Sequence, residues 1–149
     1  MTPAPLTVWF LYEQPLPNPH AAGIQILRTG AALAEGGARF VCLAGPLRAR
    51  RDAILHHYGA PPVQGLELRA FYPAPRLPPV LRDPLLGWRL RGLAAEIARS
   101  PGRHVVACRG AAGLAALPIL ARVRRTAGLA APVLYEMHCL QHLRSTERS

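Results

Sequence analysis

The stretch that most limits what this chain can fold into runs from Leu6 to Gly37. Leu6–Tyr12 (LTVWFLY) is an unbroken apolar and aromatic run, the pattern of a strand buried on both faces. Pro15, Pro17, Asn18 and Pro19 follow, a composition that demands a loop, and Gly23 closes it. Beyond it, Ile24, Leu27, Ala31 and Ala34 share one face at helical spacing, and Gly36-Gly37 supplies a C-terminal stop. Strand, loop, helix and second strand are the opening of a parallel α/β sheet. Ligands of such sheets gather at the carboxyl ends of the strands, beside helix N-termini. The functional edge is therefore expected at Glu13 to Gln25.

The rest of the chain continues the alternation. Ala38–Gly45 (ARFVCLAG) reads as a second buried strand. A helix is expected from Pro46, with Arg48, Arg50 and Arg51 near its start and Ile54, Leu55 and Tyr58 inward, stopped by Gly59-Ala60-Pro61-Pro62. Gly65–Tyr72 alternates apolar and polar as a third strand. Pro73, Pro75, Pro78, Pro79 and Pro84 then predict a stiff surface connection. Leu85–Arg99 follows as a helix with Leu86, Leu90, Leu93 and Ile97 inward. Arg103–Cys108 is a short fourth strand, and Gly110–Ala127 a helix bent at Pro118, with Arg122, Arg124 and Arg125 where cations suit its C-terminal dipole. Ala131–His138 is a fifth strand, and Cys139–Ser149 a polar, frayed end. The fold class expected is α/β: a Rossmann-like parallel sheet flanked by helices, one domain over residues 1–149.

Composition narrows the function by exclusion. All eighteen basic residues are arginine, and the formal net charge is +10. Without lysine there is no P-loop lysine and no Schiff-base lysine. Serine occurs only at Ser100, Ser145 and Ser149, which rules out a G-x-S-x-G nucleophile elbow. Asp52 and Asp83 are the only aspartates, so no Asp-x-Asp metal pair exists. Gly23 and Gly30 do not make a dinucleotide fingerprint. The arginines are dispersed among alanine, glycine, proline and leucine, a compositional bias rather than a nucleic-acid stripe, and no nucleic-acid partner is expected. Cys42, Cys108 and Cys139 are odd in number and widely spaced, as suits a reducing cytoplasmic compartment. The N-terminus lacks a basic n-region and cleavage site, and no uncharged run reaches the ~20 residues that cross a bilayer.

Three strand ends supply the candidate chemistry. The first gives the loop with His20, Gly23 and Gln25; the fourth gives Arg109; the fifth gives Glu136-x-His138. Two residues apart on a strand, Glu136 and His138 point to one side, where a carboxylate and an imidazole can position or deprotonate a hydroxyl. The same pair also reads as hydrogen-bonded residues ending a strand. Arg109 can meet a phosphate or carboxylate, or be a solvated surface arginine. His20 reads equally as an exposed loop histidine. His138, Cys139 and His142 have metal-like spacing but lack a third well-placed ligand, so no metal is expected.

Two patches resemble the N-terminal segment of family 4 glycosyltransferases. One is VWFLYEQPLPNPHAAGIQILRTGAALAEGGARFVCLAG, with its Ala32-Leu33-Ala34-Glu35-Gly36-Gly37 helix end. The other is VVACRGAAGLAAL followed by APVLYEMHCL, with an arginine closing the fourth strand and a Tyr-Glu-x-His ending to the fifth. The resemblance covers nearly the whole chain. It implies one half of a GT-B architecture, in which sugar passes with retention from a nucleotide-sugar donor to a glycan or lipid-linked acceptor, without a metal or other cofactor. It implies that His138, with Glu136, stands at the transferred sugar, that the loop around Gly23, with His20 and Gln25, faces the donor phosphates, and that Arg109 contacts acceptor or phosphate. The nucleotide-holding C-terminal domain of that architecture is not within these residues. The expectation is therefore an incomplete acceptor-side domain, inactive alone: either a truncated reading frame or a fragment of a split gene completed by a separate C-terminal domain chain.

A second reading concerns surfaces. Arg48, Arg50, Arg51, Arg82, Arg89 and Arg91 flank Leu85, Leu86 and Trp88, and basic aromatic helices bind anionic lipid. A peripheral contact with the inner face of a membrane is expected from this pattern, either alone or alongside the enzymatic role. A nucleotide-binding α/β module without catalysis is the remaining alternative.

Overall fold

The structure, a computed structural model, describes residues 3–136, the side chains of 110–115 excepted. Five strands and four helices alternate: β1 (Leu6–Tyr12), α1 (Ala21–Glu35), β2 (Arg39–Ala44), α2 (Arg51–His57), β3 (Leu66–Ala70), α3 (Pro79–Arg99), β4 (Arg103–Arg109), α4 (Gly110–Ala127) and β5 (Val133–Glu136). The strands form one sheet in the order β3-β2-β1-β4-β5, with every pairing parallel. This is the expected Rossmann-like α/β fold. Strand order reverses between β1 and β4, so the crevice between their carboxyl ends is where such a sheet opens for ligands.

Two cores cover the sheet, divided by the two-residue period of its strands. Val8, Phe10 and Tyr12 join Phe40, Cys42 and Ala44 beneath α1 and α2. Trp9 and Leu11 join Val41, Leu43, Val106 and Cys108 beneath α3 and α4. Right-handed crossovers explain the division: β1-to-β2 and β2-to-β3 connections step one way, the later ones step the other, and their helices fall on opposite faces. On the first face α1 comes very close to the sheet. A Cβ on Gly30 would stand 2.5 Å from the Phe40 ring, which stacks on Phe10.

Several expected boundaries shift, each for a physical reason. The buried face of α1 carries Gly23, Ile26, Leu27, Gly30, Ala31 and Ala34, while Ile24 is exposed. The two buried glycines rotate the contact stripe, because the closest approach falls where there is no side chain. α2 begins at Arg51 rather than at Pro46. Residues 46–48 pair instead with the β1 loop: Leu16 N–H donates to the Pro46 carbonyl at 3.1 Å and Arg48 N–H to the Leu16 carbonyl at 2.7 Å. The largest difference is α3, which begins at Pro79, inside the stretch read as a connection, and runs through Pro84. Pro79 occupies the first turn, where backbone N–H groups have no intrahelical acceptor, so proline starts a helix there without loss. The expected inward residues Leu86, Leu90, Leu93 and Ile97 are all buried. α4 runs unbroken through Pro118 and stops at Gly128, which adopts φ +68°. The fifth strand is described from Val133 to Glu136, where the described residues stop; His138 and the expected polar end lie outside them. Among the described residues, no helix is long and apolar enough to cross a membrane.

Candidate functional site

The carboxyl edge is built on the β1 loop, and a buried polar clamp fixes that loop. Asn18 is buried. Its Nδ2 donates to the Pro15 carbonyl at 2.8 Å and to the Tyr12 hydroxyl at 3.3 Å, and its Oδ1 accepts from the His20 N–H at 2.9 Å. Tyr58, at the end of α2, closes the clamp: its hydroxyl accepts from the Asn18 N–H at 2.6 Å and donates to the Asn18 carbonyl at 3.0 Å. Burial raises the pKa of both tyrosines, so they stay neutral donors and acceptors. Every polar atom of Asn18 is thus partnered, which is what a buried amide requires. The sequence showed Asn18 as a turn residue; nothing local to it announced Tyr58, forty positions on.

The clamp delivers α1 to the crevice with His20 at its N-cap position, exposed and in extended backbone. Gly23 lies on the inner side of the first turn. A Cβ there would stand 3.0 Å from the Tyr58 ring, and the Gly23 N–H already donates to the His20 carbonyl. A side chain there would be tight against Tyr58, so glycine suits the packing of α1 on that ring. Gln25, one turn in, points outward, and its Oε1 accepts a hydrogen bond from Arg109 Nη2 at 2.8 Å.

Arg109 is the last residue of β4, in register with Glu136, the last of β5. Its Nε is 3.6 Å from Glu136 Oε2, and its side chain is only 9% exposed against 53% for Glu136. Three sequence-predicted residues, Gln25, Arg109 and Glu136, therefore meet across the point where the strand order reverses. A guanidinium held in a fixed plane, a carboxamide and a half-exposed carboxylate can align a polyhydroxylated or phosphorylated ligand, the guanidinium as multiple donor and the carboxylate as acceptor for a hydroxyl. His20 and Gly23 are not drawn into this group, and His138 lies outside the described residues.

Below the three residues, a groove of about 540 Å³ runs along the α1 face of β1, β4 and β5. Val8, Phe10 and Leu134 contribute apolar walls, and Thr29 adds a hydroxyl. Thr29 went unnoticed in the sequence, although it sits four residues after Gln25 and so on the same helix face. The volume lies within the range of small-molecule sites. Among the described residues, no three His, Cys, Asp or Glu side chains gather as a metal site. Burial pushes the Cys42 thiol up to about 12, and it also raises Cys108, which leaves both sulfurs protonated and unreactive.

No protein-family model matches the chain, and no curated protein matches it. Solved structures do. The C-terminal domain (residues 83–215) of PF1911 hydrogenase from Pyrococcus furiosus is similar with a TM-score of 0.53 at 12% identity, over 91% of this chain and 94% of that one. A second structure of the same domain gives 0.49 at 11% identity, over 93% and 95%. At this identity the likeness concerns the fold, and the first of the two structures supports the α/β architecture described above. The word hydrogenase belongs to that protein.

Proposed function

We propose that this chain is the acceptor-side Rossmann-like domain of a retaining glycosyltransferase of the family 4 type. In this reading it serves the transfer of a sugar from a nucleotide-sugar donor to a glycan or lipid-linked acceptor. The observation that carries the reading is the meeting of Gln25, Arg109 and Glu136 at the strand-order reversal, above an apolar groove. The two sequence patches with family 4 character end at this same edge: one supplies Gln25, the other Arg109 and Glu136. Arg109 holds the acceptor's oxyanion or hydroxyl oxygens by donation, and Gln25 and Glu136 keep its guanidinium plane aimed at them. Glu136, the more exposed partner, accepts from an acceptor hydroxyl and orients it. Donor binding and transfer belong to a C-terminal domain that completes the cleft, and no metal or other cofactor enters the scheme.

The reading is tested by titrating isotopically labelled protein with a short prenyl phosphate and, separately, with a nucleotide-sugar. The prenyl phosphate is expected to shift the amide resonances of Gln25, Thr29, Arg109 and Glu136. Arg109→Ala is expected to weaken it by roughly ten- to a hundred-fold, the scale of one charge-assisted contact. The nucleotide-sugar alone is expected to bind weakly and to undergo no transfer. Saturable shifts confined to another edge of the sheet, or unaltered binding by Arg109→Ala, overturn the assignment of the site. Sugar transfer by this chain alone overturns the division of labour.

A further inference from the structure

We infer that the first three turns of α3 form a docking surface for an anionic lipid bilayer. Val80 and Trp88 are the two most exposed large hydrophobic side chains of the described residues, at 76% and 70%, and Leu81 beside them is 58% exposed. Val80, Pro84 and Trp88 follow one another at i, i+4 and i+8, a single stripe along the helix. The stripe is not a spare core face. The opposite side of α3 already buries Leu86, Leu90, Leu93 and Ile97.

What surrounds the stripe indicates its partner. Trp88 borders a surface hollow of about 530 Å³ with Pro118, Ile119, Arg91 and Arg122. Both arginines are exposed. Asp83, the one carboxylate in the hollow, is paired with Arg82 at 3.5 Å, so the balance around the tryptophan is positive. The structure also corrects the sequence-level version of this surface. Leu86 is core and Leu85 half-buried. Arg51 is committed to the carbonyls of Val63 and Leu66 on the other face of the sheet, and Arg89 to the carbonyl of Phe71. Arg91 and Arg122 are the cations that line the hollow beside Trp88.

Protruding valine, leucine and tryptophan flanked by arginine fit the headgroup boundary of an anionic membrane. The apolar tips enter the acyl margin, the indole prefers the interface, and the guanidinium groups meet lipid phosphates. The chain's formal charge of +10 adds long-range attraction to the same surface. Because α3 follows β3, its N-terminal half lies at the carboxyl edge of the sheet. The groove below Arg109 and Glu136 lies on the other face of the sheet, so the two surfaces are separate.

The protein reports on this contact by itself. It has two tryptophans, and Trp9 is fully buried, so emission changes on binding come from Trp88. Phosphatidylglycerol vesicles are expected to shift the emission to the blue and to protect it from acrylamide, whereas phosphatidylcholine vesicles leave it unchanged. In co-sedimentation, Trp88→Ala and Leu81→Glu are expected to weaken partitioning at least tenfold. Arg91→Gln and Arg122→Gln are each expected to weaken it about fivefold, and 0.5 M salt to weaken the wild type further. All four positions are exposed, and circular dichroism verifies that each variant is folded. An unchanged emission spectrum in anionic vesicles overturns the inference, as does equal binding to neutral ones. A blue shift that grows with protein concentration without vesicles overturns it in favour of a second copy of the chain. None of these outcomes depends on the prenyl phosphate titration, so the two proposals fail separately.

Discussion

The two faces of the sheet are covered in opposite ways. On the α1–α2 face, cover is achieved by subtraction: Gly30 lets the helix backbone rest on Phe40, Gly23 lets it come close to Tyr58, and the buried Asn18 amide has every partner it needs. On the α3–α4 face, the helices cover Trp9, Leu11, Val41, Leu43, Val106 and Cys108, and polar side chains cover what lies beyond them on β2 and β3. Arg39 donates to Glu67 at 2.6 Å, Glu67 also pairs with Arg69 at 3.2 Å, and Arg69 reaches Glu96 of α3 at 3.0 Å. Trp9 lies under this network, with the guanidinium carbons of Arg39 and Arg69 at 5.4 and 5.5 Å from its ring centroid. Its indole N–H donates to His104 Nδ1 at 3.1 Å, which leaves His104 Nε2 to donate to the Ser100 carbonyl. One face thus depends on having no atoms in the way, the other on a large side chain with all its partners present. They should break under opposite substitutions.

The larger effect belongs to the tryptophan. Trp9→Ala removes a fully buried indole, strips the packing from Arg39 and Arg69, and leaves His104 Nδ1 without its donor. A loss of about 3–5 kcal/mol is expected, measured by denaturant unfolding. Trp9→Phe keeps most of the apolar contact and should recover more than half of it. If the alanine variant costs under about 1 kcal/mol, the polar cover does not depend on the ring beneath it.

The opposite substitution tests the other face. Gly30→Ala adds one methyl group where the Phe40 ring carbons already stand at 2.5–2.9 Å. Alanine usually stabilises a helix interior by about 1 kcal/mol relative to glycine. Here the overlap should reverse that sign and cost about 1–3 kcal/mol, because Phe40 is backed by Phe10 and cannot swing aside freely. A variant at least as stable as the wild type would show that α1 can lift off the sheet. The comparison between faces would then lose its basis.

The faces also differ in how far the sequence revealed them. Strand and helix order followed directly from apolar runs and punctuation, since LTVWFLY and RFVCLA permit little else. The carboxyl edge was legible too, because parallel strands share one direction, and Gln25, Arg109 and Glu136 were each visible as strand-end or loop residues. Their convergence was not visible, since it depends on β4 lying beside β1, a pairing decided by packing nearly a hundred residues apart in sequence. α3 was misjudged for a local reason: prolines signal a break in most places, yet at a helix start they cost nothing, and Pro84 is carried by the packing of Leu86 and Leu90 behind it. Gly23 read as the residue closing a loop and Gly30 only as no part of a dinucleotide fingerprint; their closeness to the Tyr58 and Phe40 rings was not visible. The pairing of Glu67, Arg69 and Glu96 was likewise hidden, because it joins β3 to a helix nearly thirty residues away.

That last group gives the smallest and most specific effect. Glu67 is held below the usual carboxylate value of 4.5 chiefly by its hydrogen bond from Arg39; burial opposes this as the next largest influence, and the Arg39 charge and the hydrogen bond and charge of Arg69 lower it further. A carboxyl group whose folded pKa is depressed contributes stability at pH values above its unfolded pKa. It loses that contribution as pH falls through the folded value. The window therefore opens near 4.5 and extends downward. The side chain is 38% exposed, so solvent screening limits the effect to under about 1 kcal/mol. Glu67→Gln, compared with the wild type in urea unfolding from pH 7 to pH 3, isolates it. The two proteins should differ most at neutral pH and converge on acidification, and 0.5 M salt should shrink the gap throughout. The α1–α2 face has no counterpart, because its buried tyrosines stay neutral across that range. Should the gap between wild type and Glu67→Gln stay constant with pH, the carboxylate's charge is not what joins Arg39 to Arg69, and the edge of β2 and β3 is held by hydrogen-bond geometry and packing alone.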